Sequence, residues 1–161
     1  LILKSPANMR CYLNKPEATA ETLKDGWIYT GDLATLEADG IVTIVDRKKD
    51  MIIRGGENIS CLEIDAALHL HPAVSEAAVF SIPDARLGEV VGAGVLLKAG
   101  SQLDEAELQA FLKQNLASFK VPERIWFFDE PLPRGGTEKT DRRALRAMCL
   151  GDEEAASPVT S

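Results

Sequence analysis

The sequence predicts an α+β fold in which a central sheet is flanked by helices and preceded by a separate β-hairpin unit. Two observations lead to this prediction. Segments with the apolar pattern of strands alternate along the chain with helical segments. The chain also has 161 residues, of which 45% are hydrophobic and 27% charged. This length and composition suit one compact domain with at most a small appended unit.

The first predicted elements are a short helix and a hairpin. The helix is expected over residues 16–23, because a proline stands at its first position, and Asp25-Gly26 would end it. Strands are expected over residues 28–36 and 41–45. They flank Asp39-Gly40, a dipeptide that favours a tight turn because both positions tolerate positive φ.

A polar joint follows the hairpin. Residues 47–50, Arg-Lys-Lys-Asp, interrupt an apolar run that resumes at residues 51–53, and such a joint is a natural place for a domain boundary. Gly55-Gly56 then indicates a loop. Ser60 and Glu63 have the spacing of a capping box, which predicts that a helix begins there.

The remaining elements are strands around one further helix. Two valine- and alanine-rich stretches, residues 74–82 and 89–97, predict buried strands. A helix is expected from Asp104, with apolar residues at helical spacing, until Val121-Pro122 enforces its end. A last strand is expected over residues 124–128.

The composition excludes several classes of protein. A net charge of -7 argues against general nucleic-acid binding. Cys11, Cys61 and Cys149 form no close pair, which predicts neither a disulfide framework nor a zinc site and favours a reducing, cytoplasmic location. His69 and His71 would not share one helix face, so no metal site is expected. No segment reaches the roughly 18 to 20 apolar residues of a membrane span.

Basic residues nevertheless form two clusters in this acidic chain. One contains Arg47, Lys48, Lys49 and Arg54, and the other contains Arg134, Lys139, Arg142, Arg143 and Arg146. Such clusters suit a local anionic ligand such as a phosphate. Solvated surface charge explains either cluster, taken alone, equally well.

Three motifs occur in a specific order and spacing. They are Gly-Trp-Ile-Tyr-Thr-Gly-Asp at residues 26–32, Asp-Arg-Lys-Lys-Asp-Met-Ile-Ile-Arg-Gly-Gly-Glu-Asn at 46–58, and Leu-Pro-Arg-Gly-Gly-Thr-Glu-Lys-Thr-Asp-Arg-Arg at 132–143. Together they resemble the carboxyl-side third of the adenylate-forming enzymes, the family of acyl-CoA synthetases, firefly luciferases and peptide-synthetase adenylation domains. The resemblance covers residues 14–146, and residues 46–53 look most like the fatty-acid or aryl-acid CoA ligases.

The resemblance implies a division into domains. Residues 1–46 would be the last segment of the family's large N-terminal AMP-binding domain, residues 47–147 the small mobile C-terminal lid, and residues 148–161 a flexible tail. The family's Ser/Thr/Gly-rich phosphate loop has no counterpart in this sequence, which also begins without methionine. We therefore expect a C-terminal fragment that is inactive alone and whose partner is the missing N-terminal domain.

The resemblance assigns the first two motifs to the nucleotide and to a hinge. Asp32 matches the aspartate that holds the ribose of ATP, and Arg47 matches an arginine that also reaches the nucleotide. Lys49 matches the hinge position about which the small domain turns. From the residues alone, a plain turn aspartate is the simpler interpretation of Asp32, and the cluster at residues 47–50 could equally be a polar turn.

The resemblance also assigns the CoA loop and the catalytic lysine. Gly55 and Gly56 match the loop that lines the tunnel for the pantetheine arm of CoA, and Lys139 matches the lysine that bridges the substrate carboxylate and the α-phosphate. Without the family, the segment around Lys139 is a basic surface loop leading into a helix. Glu138 and Thr140 depart from the family, which has glycine and an aliphatic residue there. A glutamate at positive φ would cost about 1 to 2 kcal/mol.

The implied activity is that of an AMP-forming acid-thiol ligase. A fatty or aryl carboxylic acid would react with ATP to give acyl-AMP, and the acyl group would pass to CoA. Mg²⁺ would accompany ATP but be bound by the missing domain, and a homodimer is a further expectation. Two alternatives stay open: a lid that has lost catalysis and serves as an interaction or regulatory domain, and an adenylation domain whose acceptor is a carrier protein or an oxygen nucleophile.

Overall fold

The computed structural model describes residues 1–136 and 138–151. The chain divides into two compact units, and the division falls between Lys49 and Asp50. It therefore lies within the polar joint at residues 47–50 that the sequence indicates.

The first unit contains a small sheet, one helix and a hairpin. Its elements are β1 (Ile2–Leu3), α1 (Pro16–Thr22), β2 (Leu23–Lys24), β3 (Trp27–Tyr29), β4 (Asp32–Leu36) and β5 (Val42–Arg47). The sheet has the order β1, β3, β2, and all its pairs are antiparallel. The predicted hairpin is confirmed as the antiparallel pair β4 and β5. Its connection spans residues 37–41, longer than a two-residue turn.

The predicted role of Asp25-Gly26 is wrong. The helix α1 already ends at Thr22, and Asp25 and Gly26 connect β2 to β3 with φ values of 51° and 79°. A two-residue connection with both residues at positive φ matches the twist of an antiparallel pair, so this dipeptide makes a hairpin turn. The predicted strand at residues 28–36 is also interrupted, at Gly31, whose φ is 78°.

The second unit is built on a mixed five-stranded sheet. Its strands are β6 (Ile52–Arg54), β7 (Glu57–Ile59), β8 (Val74–Asp84), β9 (Gly88–Leu97) and β10 (Arg124–Phe128). The order is β10, β9, β6, β7, and β8 pairs with β9. The strand β10 runs parallel to β9, whereas the other pairs are antiparallel. The strands predicted at 74–82, 89–97 and 124–128 are confirmed.

The described part of the second unit also contains the helices α2 (Cys61–His69), α3 (Glu105–Leu112) and α4 (Arg142–Leu150). Ser60 Oγ accepts a hydrogen bond from Glu63 N at the start of α2, as the capping-box spacing predicts. No helix in the described part of the chain has the length and apolar character that a membrane crossing requires.

The helix α3 is shorter than predicted. It begins after Asp104 as expected but ends at Leu112 instead of continuing towards Val121. The N–H groups of Gln114 and Asn115 bond to carbonyls three residues earlier, so the α-helical pattern lapses there.

The helix α4 reaches into the segment predicted as a tail. Of residues 148–161, the first three belong to this helix, since α4 ends at Leu150. Within α4, Cys149 and Leu150 pack against the core cluster that contains Leu145 and Phe80. Residues 152–161 lie outside the described part of the chain.

Both faces of the β8–β9 pair are buried. One core cluster packs β8 and β9 against α2 and α3. The other packs them against α4 and Leu132. Alternate residues of β8 divide between the clusters: Ala77 and Val79 belong to the first, and Ala78, Phe80 and Ile82 to the second. A strand covered on both faces has a continuous apolar sequence, which is why this strand could be predicted. The predicted α+β fold, with a central sheet flanked by helices, is confirmed.

Gly94 in β9 lies in close contact with α4. A Cβ atom at Gly94 would lie 2.8 Å from Leu145 Cδ1 and 3.0 Å from Leu145 Cδ2. Leu145 is fully buried. The missing side chain is therefore a condition for the α4 contact.

Substitution of Gly94 by alanine is expected to lower the free energy of unfolding. The extra methyl group overpacks the α4 contact, and such overpacking costs about 1 to 3 kcal/mol. Urea unfolding of the chain measures the change. Gly136→Ala is the matched control, because no atom lies within 4 Å of a Cβ built there. Equal stabilities of the two variants would contradict the packing argument.

A charged group also joins three elements of the second unit. Arg142, the first residue of α4, donates from Nη2 to Asp65 Oδ2 of α2 and, over 2.6 Å, from Nη1 to the Val79 carbonyl of β8. Asp65 Oδ1 accepts from Val79 N at 2.9 Å. Burial alone would lower the pKa of the Arg142 guanidinium, but the hydrogen bond and charge of Asp65 raise this pKa above its ordinary value.

Removal of the Asp65 carboxylate is expected to destabilise the second unit. Asp65→Ala leaves Arg142 without its counter-charge and Val79 N without its acceptor, a loss of about 1 to 3 kcal/mol. The loss stays below that of a fully buried pair because the Arg142 side chain keeps 25% of its surface exposed.

Chemical denaturation compares this variant with Lys120→Ala. The control removes the ion pair between Lys120 Nζ and Glu63 Oε1, which are 2.7 Å apart. Because the Glu63 carboxylate is 45% exposed, against 15% for Asp65, this loss should be less than about 1 kcal/mol. A cost of Asp65→Ala no larger than that of the control would contradict a structural role for this carboxylate.

Candidate active site

Asp32 and Arg47 form a cross-strand pair in the first unit. They are register partners at the open end of the β4–β5 hairpin, and Arg47 Nε lies 3.4 Å from Asp32 Oδ1. Thr30 Oγ1 accepts from Asp32 N at 3.0 Å and fixes the start of β4. A carboxylate and a guanidinium side by side offer acceptors and donors to adjacent hydroxyl groups of a sugar. The structure therefore brings together the two residues that the sequence assigns to the nucleotide.

Lys49 lies between two residues that are each tied to their own unit. Lys48 N donates to the Gly31 carbonyl at 2.8 Å within the first unit. The Cys61 thiol donates to the Asp50 carbonyl at 2.9 Å within the second. Lys49 itself is exposed within a single 3₁₀ turn, Lys48–Asp50. A short, exposed joint between two anchored residues is where a hinge can lie, and the hinge role of Lys49 stays a prediction.

Gly55 and Gly56 form the turn between β6 and β7. Their φ values are 58° and 92°, a region that strongly favours glycine. Gly55 N donates to the Leu87 carbonyl at 2.8 Å, and a Cβ at Gly55 would lie 3.2 Å from Leu87 Cδ2. The turn by itself thus favours glycine at these positions, and it lies against the connection between β8 and β9.

That connection is fixed by Asp84. Its Oδ1 accepts from Leu87 N at 2.8 Å and from Arg86 N at 2.9 Å. These backbone hydrogen bonds, the one from Leu87 first, lower the pKa of the Asp84 carboxyl group. The Gly55-Gly56 turn therefore rests on a well-ordered partner.

Lys139 projects from a short hairpin that precedes α4. A β-bridge joins Arg134 to Thr140, and Gly135 N donates to the Lys139 carbonyl at 2.8 Å. The Lys139 side chain is exposed to solvent. Glu138, directly before it, has a φ of 60°, so the strained conformation that a glutamate in place of glycine implies is present. Thr137 lies outside the described residues.

Two carboxylates that support this hairpin were missed by the sequence analysis. Asp65 holds Arg142 just after the hairpin, and Glu76 of β8 contacts Leu132 and Arg134 at its beginning. The available signal was weak: Glu76 is the one charged residue among apolar residues in the first half of a predicted strand. A charge within such a strand indicates a buried or half-buried partner.

The Lys139 hairpin and the Gly55-Gly56 turn lie near opposite ends of β8. The hairpin contacts Glu76, close to the start of this strand, whereas the turn contacts Leu87, just after its end. With a rise of about 3.3 Å per residue, the stretch of β8 from Glu76 to Asp84 spans roughly 26 Å. One rigid strand thus separates the two loops.

Other groups in the described residues offer little chemistry. No cluster of three or more His, Cys, Asp or Glu side chains suited to a metal ion occurs within residues 1–136 and 138–151. Burial raises the pKa of the Cys149 thiol to about 11, so this group is not a thiolate near neutral pH.

Comparisons with known proteins match both the sequence and the fold. The family model for the AMP-binding enzyme C-terminal domain matches residues 63–139. The chain is 43% identical over 154 residues to a 2-succinylbenzoate-CoA ligase from Geobacillus kaustophilus, covering 96% of this chain and 31% of the relative. It is 47% identical over 150 residues to a fatty acid-[acyl-carrier-protein] ligase from Streptomyces coeruleorubidus, covering 93% of this chain and 29% of the relative.

A solved structure gives the same result. The o-succinylbenzoate CoA synthetase from Bacillus subtilis, in complex with its acyl-adenylate intermediate, superimposes with a TM-score of 0.83 at 36% identity, covering 90% of this chain and 29% of that chain. The chain spans less than a third of the length of these relatives. The family resemblance of the three sequence motifs is confirmed: the chain belongs to the adenylate-forming, AMP-binding enzymes and carries their C-terminal domain.

Proposed function

We propose that this chain is the C-terminal part of an acyl-CoA synthetase that activates a fatty or aryl carboxylic acid. In this proposal, residues 1–46 complete the large AMP-binding domain and residues 47–147 form its mobile lid. The observation that carries the proposal is the exposed Lys139 on a hairpin that is fixed at both ends by hydrogen bonds. The similarity to CoA ligases supports the reaction class.

The first step forms the acyl-adenylate. A carboxylate oxygen of the substrate attacks the α-phosphorus of ATP, the bond to the bridging oxygen breaks, and pyrophosphate leaves. The Lys139 ammonium group stabilises the negative charge that develops at the phosphoryl centre and on the carboxylate. Asp32 and Arg47 bind the ribose hydroxyls. Mg²⁺ accompanies ATP and is bound by the part of the enzyme outside this chain.

The second step transfers the acyl group. The thiol of CoA loses its proton and attacks the acyl carbonyl carbon, and AMP leaves as the carbon–oxygen bond breaks. Rotation of the lid at Lys49 moves its Lys139 end away from the acyl-adenylate and brings the Gly55-Gly56 end to it. The separation of these loops along β8 supports this use of two ends in two steps. Near Gly55 and Gly56, absent side chains leave room for a thin pantetheine arm.

Two features favour the alternatives enough to test them. The relative from Streptomyces coeruleorubidus is named as a ligase for an acyl-carrier-protein, so a carrier protein is the second candidate acceptor. Glu138 places a carboxylate and a strained φ of 60° beside Lys139, which favours a lid that has lost catalysis.

Lys139→Ala in the full-length enzyme is expected to lower the rate of acid-dependent pyrophosphate exchange by a factor on the order of 10² to 10³. This factor follows the effect of removing other charge-stabilising donors. Thiolysis of preformed acyl-adenylate should continue at the wild-type rate, because Lys139 acts only in the first step. Thiolysis assays with CoA and with a holo-carrier protein identify the acceptor.

Lys113→Ala serves as the control for this variant, since it removes another exposed lysine, at the end of α3. Unchanged exchange in Lys139→Ala, or a wild-type enzyme inert in both half-reactions, would overturn the catalytic role and favour an interaction domain.

Glu138→Gly is expected to speed pyrophosphate exchange by about fivefold, since relief of roughly 1 kcal/mol of strain and removal of a negative charge both favour the adenylation geometry. Glu138→Ala removes the charge but keeps the Cβ atom and should give a smaller gain. Initial rates for the two variants separate the effects of strain and charge. Slower exchange in both would instead indicate that the Glu138 carboxylate takes part in the reaction.

A further inference from the structure

Glu76 and Arg134 form a connection between β8 and the Lys139 hairpin. Arg134 Nη2 donates to Glu76 Oε1 at 3.0 Å, and Arg134 Nη1 donates to the Glu138 carbonyl at 2.9 Å. Glu76 Oε2 accepts from Leu132 N at 3.3 Å. One guanidinium group thus links a strand of the sheet to the peptide bond that immediately precedes Lys139.

The backbone around Lys139 is fixed on both sides by these contacts. The Glu138 carbonyl accepts from Arg134, and the Lys139 carbonyl accepts from Gly135 N at 2.8 Å. Glu138 holds a φ of 60°, a conformation that a non-glycine residue adopts only when its surroundings enforce it. The hydrogen bond from Arg134 to the Glu138 carbonyl can hold Glu138 in this conformation.

Glu76 is aimed at the hairpin by the sheet itself. It shares a face of β8 with Ala78, Phe80 and Ile82, which pack in the core cluster beneath α4. A register shift between Val74 and Glu76 lets Val74 return to the opposite core. Leu132, whose N–H the Glu76 carboxylate accepts, is 2% exposed in the same cluster as Phe80. The anchor point is therefore rigid.

An ordinary surface ion pair does not account for this arrangement. The Glu76 and Arg134 side chains are 24% and 43% exposed, and pairs with such exposure contribute little to folding stability. Their contacts converge on the backbone beside one exposed lysine, where small displacements matter for catalysis: a misplacement of about 1 Å can cost 10² in rate.

We infer that Glu76 and Arg134 are positioning residues for the adenylation step, which they support by holding the backbone of Lys139. This inference rests on the proposed function of Lys139. Neither side chain is assigned a contact with substrate. The two residues act as one unit, because Arg134 reaches the Glu138 carbonyl in the orientation that Glu76 gives it.

The test uses Glu76→Ala, Arg134→Ala, Arg134→Lys and the double alanine variant of the full-length enzyme. Each single alanine variant is expected to slow pyrophosphate exchange by on the order of tenfold, with thiolysis of preformed acyl-adenylate unchanged. The double variant should be no slower than either single variant, because the residues act together. Arg134→Lys should not restore the rate, since one ammonium group lacks the planar fork that spans Glu76 and Glu138.

Two further readouts do not depend on catalysis. The thermal midpoint should stay nearly unchanged in Arg134→Ala and Arg134→Lys, as expected for an exposed side chain. Glu76→Ala also leaves the buried Leu132 N–H without its acceptor, so a fall of a few degrees is expected there. Deuterium uptake in a peptide containing Gly135 should rise, because its N–H bonds to the Lys139 carbonyl. Lys120→Ala, which removes an ion pair of similar exposure between Lys120 and Glu63 of α2, should change neither the exchange rate nor this uptake.

The outcomes separate the inference from the proposed function. If Lys139→Ala slows exchange but Glu76→Ala does not, the positioning role is overturned and the role of Lys139 stands. If Arg134→Ala slows exchange far more than Glu76→Ala, Arg134 contacts the substrate directly and the inference is also overturned. If Lys139→Ala has no effect, the proposed function fails and this inference fails with it.

Discussion

The architecture of the second unit depends on the group formed by Asp65, Arg142 and Val79. A carboxylate from α2 and a guanidinium from α4 meet at the backbone of β8, which pairs with β9, and bond to the N–H and C=O groups of Val79. These helices lie on opposite core clusters of the sheet. A half-buried ion pair is tolerated there because each charge has hydrogen-bond partners, including the backbone. The same contact determines where α4 begins and therefore where the Lys139 hairpin ends.

Much of this fold could be predicted from the sequence, for identifiable reasons. The strands β8 and β9 are buried on both faces and have continuous apolar sequences, and Ser60 begins α2 with a side-chain cap. The predictions were wrong where a local sequence pattern is compatible with two different structures. Asp25-Gly26 suits a helix end or a hairpin turn, and the tertiary pairing of β2 with β3 decides for the turn. The early end of α3 after Leu112 likewise depends on contacts that no local pattern encodes.

The candidate site was only partly accessible to sequence reasoning. Asp32, Arg47 and Lys139 stand in motifs, so their identities could be read from a family resemblance. Glu76 and Asp65 could not, because their partners Arg134 and Arg142 lie 58 and 77 positions away in the chain. Long-range pairs of this kind leave no periodic or spacing signal. From the sequence, strain at Glu138 followed only if its φ were positive. The structure of the hairpin gives Glu138 a φ of 60°.

The two ion pairs that hold the Lys139 hairpin differ in their exposure to dissolved salt. The Asp65 and Arg142 side chains are 15% and 25% exposed, whereas those of Glu76 and Arg134 are 24% and 43% exposed. Mobile ions screen accessible charges within a Debye length of about 8 Å at physiological ionic strength and about 3 Å at 1 M. Ionic strength therefore acts more strongly on the beginning of the hairpin than on its end. Rising salt would loosen the segment before Lys139 while the helix after it keeps its anchor.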